Sequence, residues 1–154
     1  MTVRAQELFA LTEELFSMGR DVRIRVTGDS MVPFLHHGTD SVQLSKVPYE
    51  QIKTADIVLA VRGDGAYVLH RVFKKGKDGF YMVGDAQDYL DGPYPKEKLV
   101  AKVTMLYRRG KRIDCRHLGY RFLVRAWMLI RPWRRAVFAV YARLIKPFFK
   151  SKRQ

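Results

Sequence analysis

The chain has 154 residues, one cysteine (Cys115) and a hydrophobic fraction of 47%. Those values exclude a disordered chain, a disulfide-stapled scaffold and a multi-cysteine zinc module. The net charge of +14 is unevenly placed: residues 1–107 hold 14 Lys+Arg and 14 Asp+Glu, whereas residues 108–154 hold 15 Lys+Arg and one acid, Asp114. This split implies a neutral folded domain with a basic tail that meets an anionic membrane surface or a nucleic acid.

Leu8, Leu11, Leu15 and Met18 recur at helical spacing, and Gly19 is a stop signal, so residues 4–18 are predicted to form an amphipathic helix. The same region carries Arg4, Glu7, Glu13 and Glu14 and lacks the basic and apolar regions of a signal peptide. The period then changes to two. Val22, Ile24 and Val26 alternate with Arg23, Arg25 and Thr27, which predicts a strand with one buried face. Further strands are predicted at Ser41–Leu44, Ile57–Val61, Tyr67–Phe73, Phe80–Val83 and Leu99–Tyr107. Turn signals separate several of them: Arg62-Gly63-Asp64-Gly65, Lys77-Asp78-Gly79 and Asp91-Gly92-Pro93. Many short strands predict a mainly β fold, a small, partly open barrel or coiled sheet. The expected organisation is an N-terminal helix over 1–19, a β domain over 20–114 and a basic helical tail over 115–154.

In the tail, 120–130 is apolar on most sides, and Pro132 breaks the run. Trp133, Val137, Val140, Tyr141 and Leu144 then form one helical stripe, with Arg134, Arg135, Arg143 and Lys146 off it. The longest uncharged stretch there is 136–142, and a spanning helix needs about 20 mostly apolar residues. The expectation is two helices lying on an anionic membrane. Attachment would be peripheral or interfacial, with the cytoplasmic face one option. Nucleic-acid binding through Trp127, Trp133, Tyr141, Phe148 and Phe149 is the weaker alternative. A solvated basic face on two packed helices is the plainest one.

The most specific segment is Gly28-Asp29-Ser30-Met31-Val32-Pro33. A serine after a strand end, stiffened by a proline, can present its hydroxyl beside backbone N–H groups that stabilise an oxyanion. An ordinary polar turn is the alternative. Serine needs a base. His70 lies within Tyr67-Val68-Leu69-His70-Arg71-Val72-Phe73, sharing a strand face with Val68 and Val72 while Arg71 points the other way. Burial there favours the neutral imidazole that a general base requires. A satisfied core histidine is the competing reading. His36 and His37 read as solvated loop residues, and His117 lies in the tail. A third group would orient the imidazole. Asp85, Asp88 and Asp91 all follow the Phe80–Val83 strand, and spacing alone does not choose among them.

Taken in order, these segments resemble the signal-peptidase-like serine peptidases of the S24/S26 superfamily. Ser30-Met31-Val32-Pro33 matches the family's Ser-Met-x-Pro box, and His70-Arg71-Val72 matches the strand that ends in the basic residue. Gly84-Asp85 with Asp91 matches the third motif. A histidine at position 70 is similar to the archaeal and endoplasmic-reticulum branch, where other branches use lysine. The resemblance implies a signal-peptidase/LexA-like fold and a serine endopeptidase with Ser30 as nucleophile and His70 as base. It places Asp91 at the triad acid, with Asp85 as the neighbouring family acid. It also implies a peptide or protein substrate, extended and with small side chains near the cut, and no metal or organic cofactor. Three positions depart from the pattern. Gly28 supplies no hydroxyl to the oxyanion hole, Gln87 stands near a usual asparagine, and Asp56-Ile57 lacks the glycine of a Gly-Asp-Ile-Val element. A non-catalytic binding or regulatory protein on the same scaffold is the alternative from another functional class.

Overall fold

A computed structural model describes residues 12–133, together with Ala136 and Ala139. Residues 12–17 form a helix, α1, which is the described part of the expected N-terminal helix; the rest of that helix and most of the stripe from Trp133 to Leu144 lie outside the described residues.

The body is a mainly β unit in which eight strands form one antiparallel sheet: β1 (Val22–Arg25), β2 (Ser41–Ser45), β3 (Ile57–Val61), β4 (Tyr67–Lys75), β5 (Gly79–Val83), β6 (Asp91–Pro95), β7 (Leu99–Arg108) and β8 (Lys111–Asp114). The spatial order is β1-β2-β7-β3-β4-β5-β6, with β8 paired to β7. The path does not close, because β1 and β6 are its two ends.

The apolar pattern explains this arrangement. Val22 and Ile24 of β1 turn partly inward and Arg23 and Arg25 stay exposed, as period two requires. The run Ile57-Val58-Leu59-Ala60 is buried throughout, so β3 has cover on both faces. Ile57 and Leu59 join a core with Phe16, Leu35, Val42 and Val103, whereas Val58 and Ala60 join a second core with Val72, Phe80 and Met82. The sheet coils so that each face encloses one core.

Two strands differ from the sequence expectation. Asp91-Gly92-Pro93 carries turn residues but opens β6, which pairs with β5 through Phe80↔Tyr94 and Met82↔Asp91. As the last strand of the sheet, β6 tolerates a proline, because its outward side needs no ladder donor. Strand β8 is short and polar, too little for a period to show. A tight turn creates it: Arg109 and Gly110 both have positive φ (48° and 76°), which suits a two-residue hairpin loop between β7 and β8.

After β8 comes α2 (Leu118–Leu129), capped by His117, whose side chain accepts the Gly119 N–H. A short 3-10 turn, Arg131–Trp133, follows at Pro132. Among the described residues no helix is long and apolar enough to cross a membrane.

Candidate active site

Ser30 lies on the turn that leaves β1. Its neighbours hold that turn down: Met31 is 2% exposed and Leu35 fully buried in the first core. Each contributes roughly 1.5–3 kcal/mol of burial. His37, expected to be merely solvated, accepts the Gly28 N–H at 2.9 Å and so shapes the same turn. His36 contacts Asp40 instead, at 3.4 Å.

A second loop, which follows β5, is fastened to this turn. The Ala86 N–H donates to the Ser30 carbonyl at 2.8 Å. At Gly84 a Cβ would stand 2.6 Å from that same carbonyl and from Gln87 Oε1, so the two loops meet only because position 84 is glycine. Gln87 takes a local role: its Oε1 accepts the Gly84 N–H at 3.3 Å and its Nε2 donates to Tyr89 Oη at 2.7 Å.

His70 reaches the serine from β4. Its Nε2 lies 3.2 Å from Ser30 Oγ, and the residue is 6% exposed. Behind it, Asp91 Oδ2 is 3.7 Å from His70 Nδ1, which makes no hydrogen bond. For Nε2 to accept the serine proton, the ring proton must sit on Nδ1, the nitrogen that faces Asp91. Burial lowers the His70 pKa below its ordinary 6.5, and the charges of Asp91 and then Asp85 offset part of that effect. The imidazole is therefore neutral at neutral pH, as a base must be.

Three of the four residues singled out from the sequence thus converge. The fourth, Asp85, is held elsewhere. Its two oxygens accept from Arg71 Nε at 2.8 Å and Nη2 at 2.6 Å, and both side chains are fully buried. Burial works to lower the Arg71 pKa, but the Asp85 carboxylate outweighs it and the net shift is upward. Arg71 also donates to the Ala55 carbonyl at 2.7 Å and lies over the Phe34 ring. Asp88 is exposed, at the outer edge of the loop.

Sequence reasoning missed Tyr94. Its Oη donates to Asp91 Oδ2 at 2.8 Å, the oxygen that also faces His70, while its ring stacks on Phe80 at 5.7 Å. Residues three apart on a regular strand point to opposite faces, so the period of two did not announce this contact; Gly92, with φ 130°, lies between the two residues. Asp56, noted for its missing glycine neighbour, pairs with Lys102 at 2.8 Å and Arg121 at 3.4 Å, tying α2 to the sheet. The missing glycine has a visible consequence, because Ala55 carries φ 77°.

The serine and histidine open onto a cleft of about 380 Å³, bounded by Ile24–Thr27 on one side and Tyr67–His70 on the other. β1 is an edge strand. The Val26 N–H donates inward to Asp40 O, so alternation turns the Arg25 and Thr27 backbone groups outward, toward the cleft. Such an edge can accept an extended peptide as an added strand. Among the described residues no group of three or more His, Cys, Asp or Glu side chains could hold a metal ion. No protein-family model matches the chain, and no curated protein matches it in sequence.

Proposed function

We propose that the protein is a serine endopeptidase of the signal-peptidase-like type, built on a signal-peptidase/LexA-like sheet. The observation that carries this reading is the 3.2 Å approach of His70 Nε2 to Ser30 Oγ at the floor of an edge-strand cleft. The ordered motifs around Ser30, His70 and Asp91 support it.

In this mechanism an extended peptide lies along β1 with its scissile carbonyl over Ser30. Ser30 Oγ attacks the carbonyl carbon as His70 Nε2 takes the hydroxyl proton. Backbone N–H groups, that of Ser30 among them, hold the oxyanion, since Gly28 has no side chain to offer. The imidazolium is stabilised by Asp91, whose carboxylate Tyr94 steadies. His70 then gives its proton to the leaving amine. Water, deprotonated by the same nitrogen, cleaves the acyl ester and restores the serine.

The test is cleavage of peptides with small residues near the cut, together with labelling by a fluorophosphonate. Wild type should be labelled and active. Ser30→Ala and His70→Ala should each lose activity with an unchanged melting curve, and the double variant should be little worse than either single. Near-wild-type cleavage by His70→Ala would remove the proposed base.

A further inference from the structure

Helix α2 carries apolar side chains on its outward side as well as on the side that packs on the body. The inner face packs on the body. Val124 is 1% exposed, Trp127 donates to the Asp85 carbonyl at 3.0 Å, and Phe34 meets the Tyr120 and Trp127 rings edge-on. The outer face should by ordinary patterning be polar. It instead presents Leu118 (82% exposed), Phe122 (76%) and Leu129 (80%), with Leu123 (58%) further round the helix and Ile130 and Trp133 exposed just beyond its end. Exposed apolar side chains of this number on one short helix, interrupted there only by Arg125, mark a contact surface.

The charges nearby narrow the choice of partner. Residues 115–154 contain eleven Lys+Arg and no Asp or Glu. On the described helix Arg125 is exposed, and Arg116 is 80% exposed just before it. Arg116 pairs with Asp114 at 3.1 Å and Arg125 lies between Phe122 and Leu129 on the outer face, so the only charges that α2 itself carries, Arg121 and Arg125, are positive. An apolar groove on a protein would match the leucines but gives no reason for charge of a single sign. A nucleic acid would use the cations but leaves Leu118, Phe122 and Leu129 in water. A bilayer with anionic headgroups satisfies both, taking the leucine, phenylalanine and tryptophan side chains at the acyl boundary and the arginines at phosphate level.

We propose that the outward face of α2 is a docking surface for an anionic lipid bilayer, on which the helix lies flat. The helix and the turn after it also grip the loop that follows β5, through Trp127 of α2 to the Asp85 carbonyl and Arg131 Nη2 of the turn to the Asp88 carbonyl at 2.6 Å. Docking would hold the cleft at a fixed height above the lipid and favour segments that emerge near a membrane. That last consequence rests on the peptidase reading. The docking itself does not.

The experiment is co-sedimentation of the full chain with phosphatidylglycerol/phosphatidylcholine vesicles and with pure phosphatidylcholine vesicles, at low and high salt. It reads binding rather than cleavage, so an inactive protein leaves it intact. The comparison variant is Phe122→Ser/Leu129→Ser, two exposed positions whose loss should leave the melting temperature unchanged. Wild type should bind the anionic vesicles and release as salt rises, and the variant should bind about tenfold more weakly or worse. Equal binding by variant and wild type would overturn the proposal, as would equal binding to both vesicle types. Binding to single-stranded or duplex nucleic acid without vesicle binding would also overturn it. A wild-type dimer that the variant breaks, with no vesicle binding, would assign that outward face to a second copy of the chain instead.

Discussion

Asp85 and Asp91 lie six residues apart on one loop and strand, yet their environments assign them opposite jobs. The perturbation that separates them is Asp85→Ala against Asp91→Ala. Removing the Asp85 carboxylate leaves the Arg71 guanidinium fully buried with its Nε and Nη2 donors unanswered. Breaking a buried pair in this way costs about 3–5 kcal/mol. For a domain of this size that is a drop in melting temperature of roughly 10 °C. The Trp127 bond to the Asp85 backbone carbonyl survives the change, so the loss belongs to the carboxylate. Asp91 is different. Its side chain is 25% exposed and its one short partner is Tyr94 Oη, so its removal costs about 1 kcal/mol in stability. Its effect should fall on turnover. Urea unfolding and peptide cleavage, both measured on each variant, decide the matter. The double replacement Arg71→Met/Asp85→Leu should regain most of the lost stability, since apolar substitutes for buried ion pairs are often neutral. The reasoning is refuted if Asp85→Ala unfolds within about 1 kcal/mol of wild type, or if Asp91→Ala is the less stable of the two.

Four further outcomes are expected. kcat/KM should rise with pH along an acid limb whose midpoint lies below 6.5, because burial holds the His70 pKa down; Asp91→Asn, by removing a charge that raises it, should push the midpoint lower still. The same depression means that stability associated with His70 is complete above 6.5 and is lost as pH falls toward the folded-state value, which a urea series across pH will show. Tyr94→Phe keeps the ring stacked on Phe80 but frees the Asp91 carboxylate, so kcat should fall about tenfold with KM and melting temperature little changed; an unaltered kcat would leave Tyr94 as core filler. Ala55→Gly should raise stability by about 0.5–1 kcal/mol in urea unfolding, since a left-handed backbone costs a β-carbon about 1–2 kcal/mol and glycine gives part of that back as entropy; a loss of stability would show that the alanine methyl contributes more than its φ costs.

Much of this molecule was legible because its signals are local. The alternation Val22/Ile24 and the apolar run from Ile57 announce strands whatever they pair with. Ser30 and His70 each sit in a short segment of distinctive composition, so they could be singled out one at a time, whereas Asp91 was separated from Asp85 and Asp88 only by the family resemblance. What stayed hidden depends on register. Arg71 pairs opposite Val83, which carries the chain two residues further to Asp85 beneath the guanidinium. Tyr94 pairs opposite Phe80, which stacks its ring there, while its hydroxyl meets Asp91 three residues back on the same strand. A one-residue slip of either strand would turn these side chains to the other face, and nothing in the linear sequence fixes that register. The outward apolar face of α2 was hidden for a related reason: a helix apolar on most sides does not reveal which side packs until Val124 and Trp127 are seen against the body.

The pairing of neighbours on β4 explains why one loop can be both rigid and reactive. His70 and Arg71 are adjacent, so the strand sends them to opposite faces, and each meets a carboxylate of the following loop or strand. The carboxylate on Arg71 is neutralised and fully buried, and it could not answer a charge appearing on the imidazole, because its own charge is already spent on the guanidinium. It serves as an anchor. The carboxylate opposite His70 is partly solvated, bears a hydrogen bond from a neutral hydroxyl rather than from a cation, and stands 3.7 Å from Nδ1, so it has room to close on an imidazolium. Exchanging the two environments would lose both functions: a solvated anchor would let the loop move, and a neutralised partner would leave the developing cation unsupported. The division of labour between Asp85 and Asp91 therefore follows from the two-residue period of a single strand.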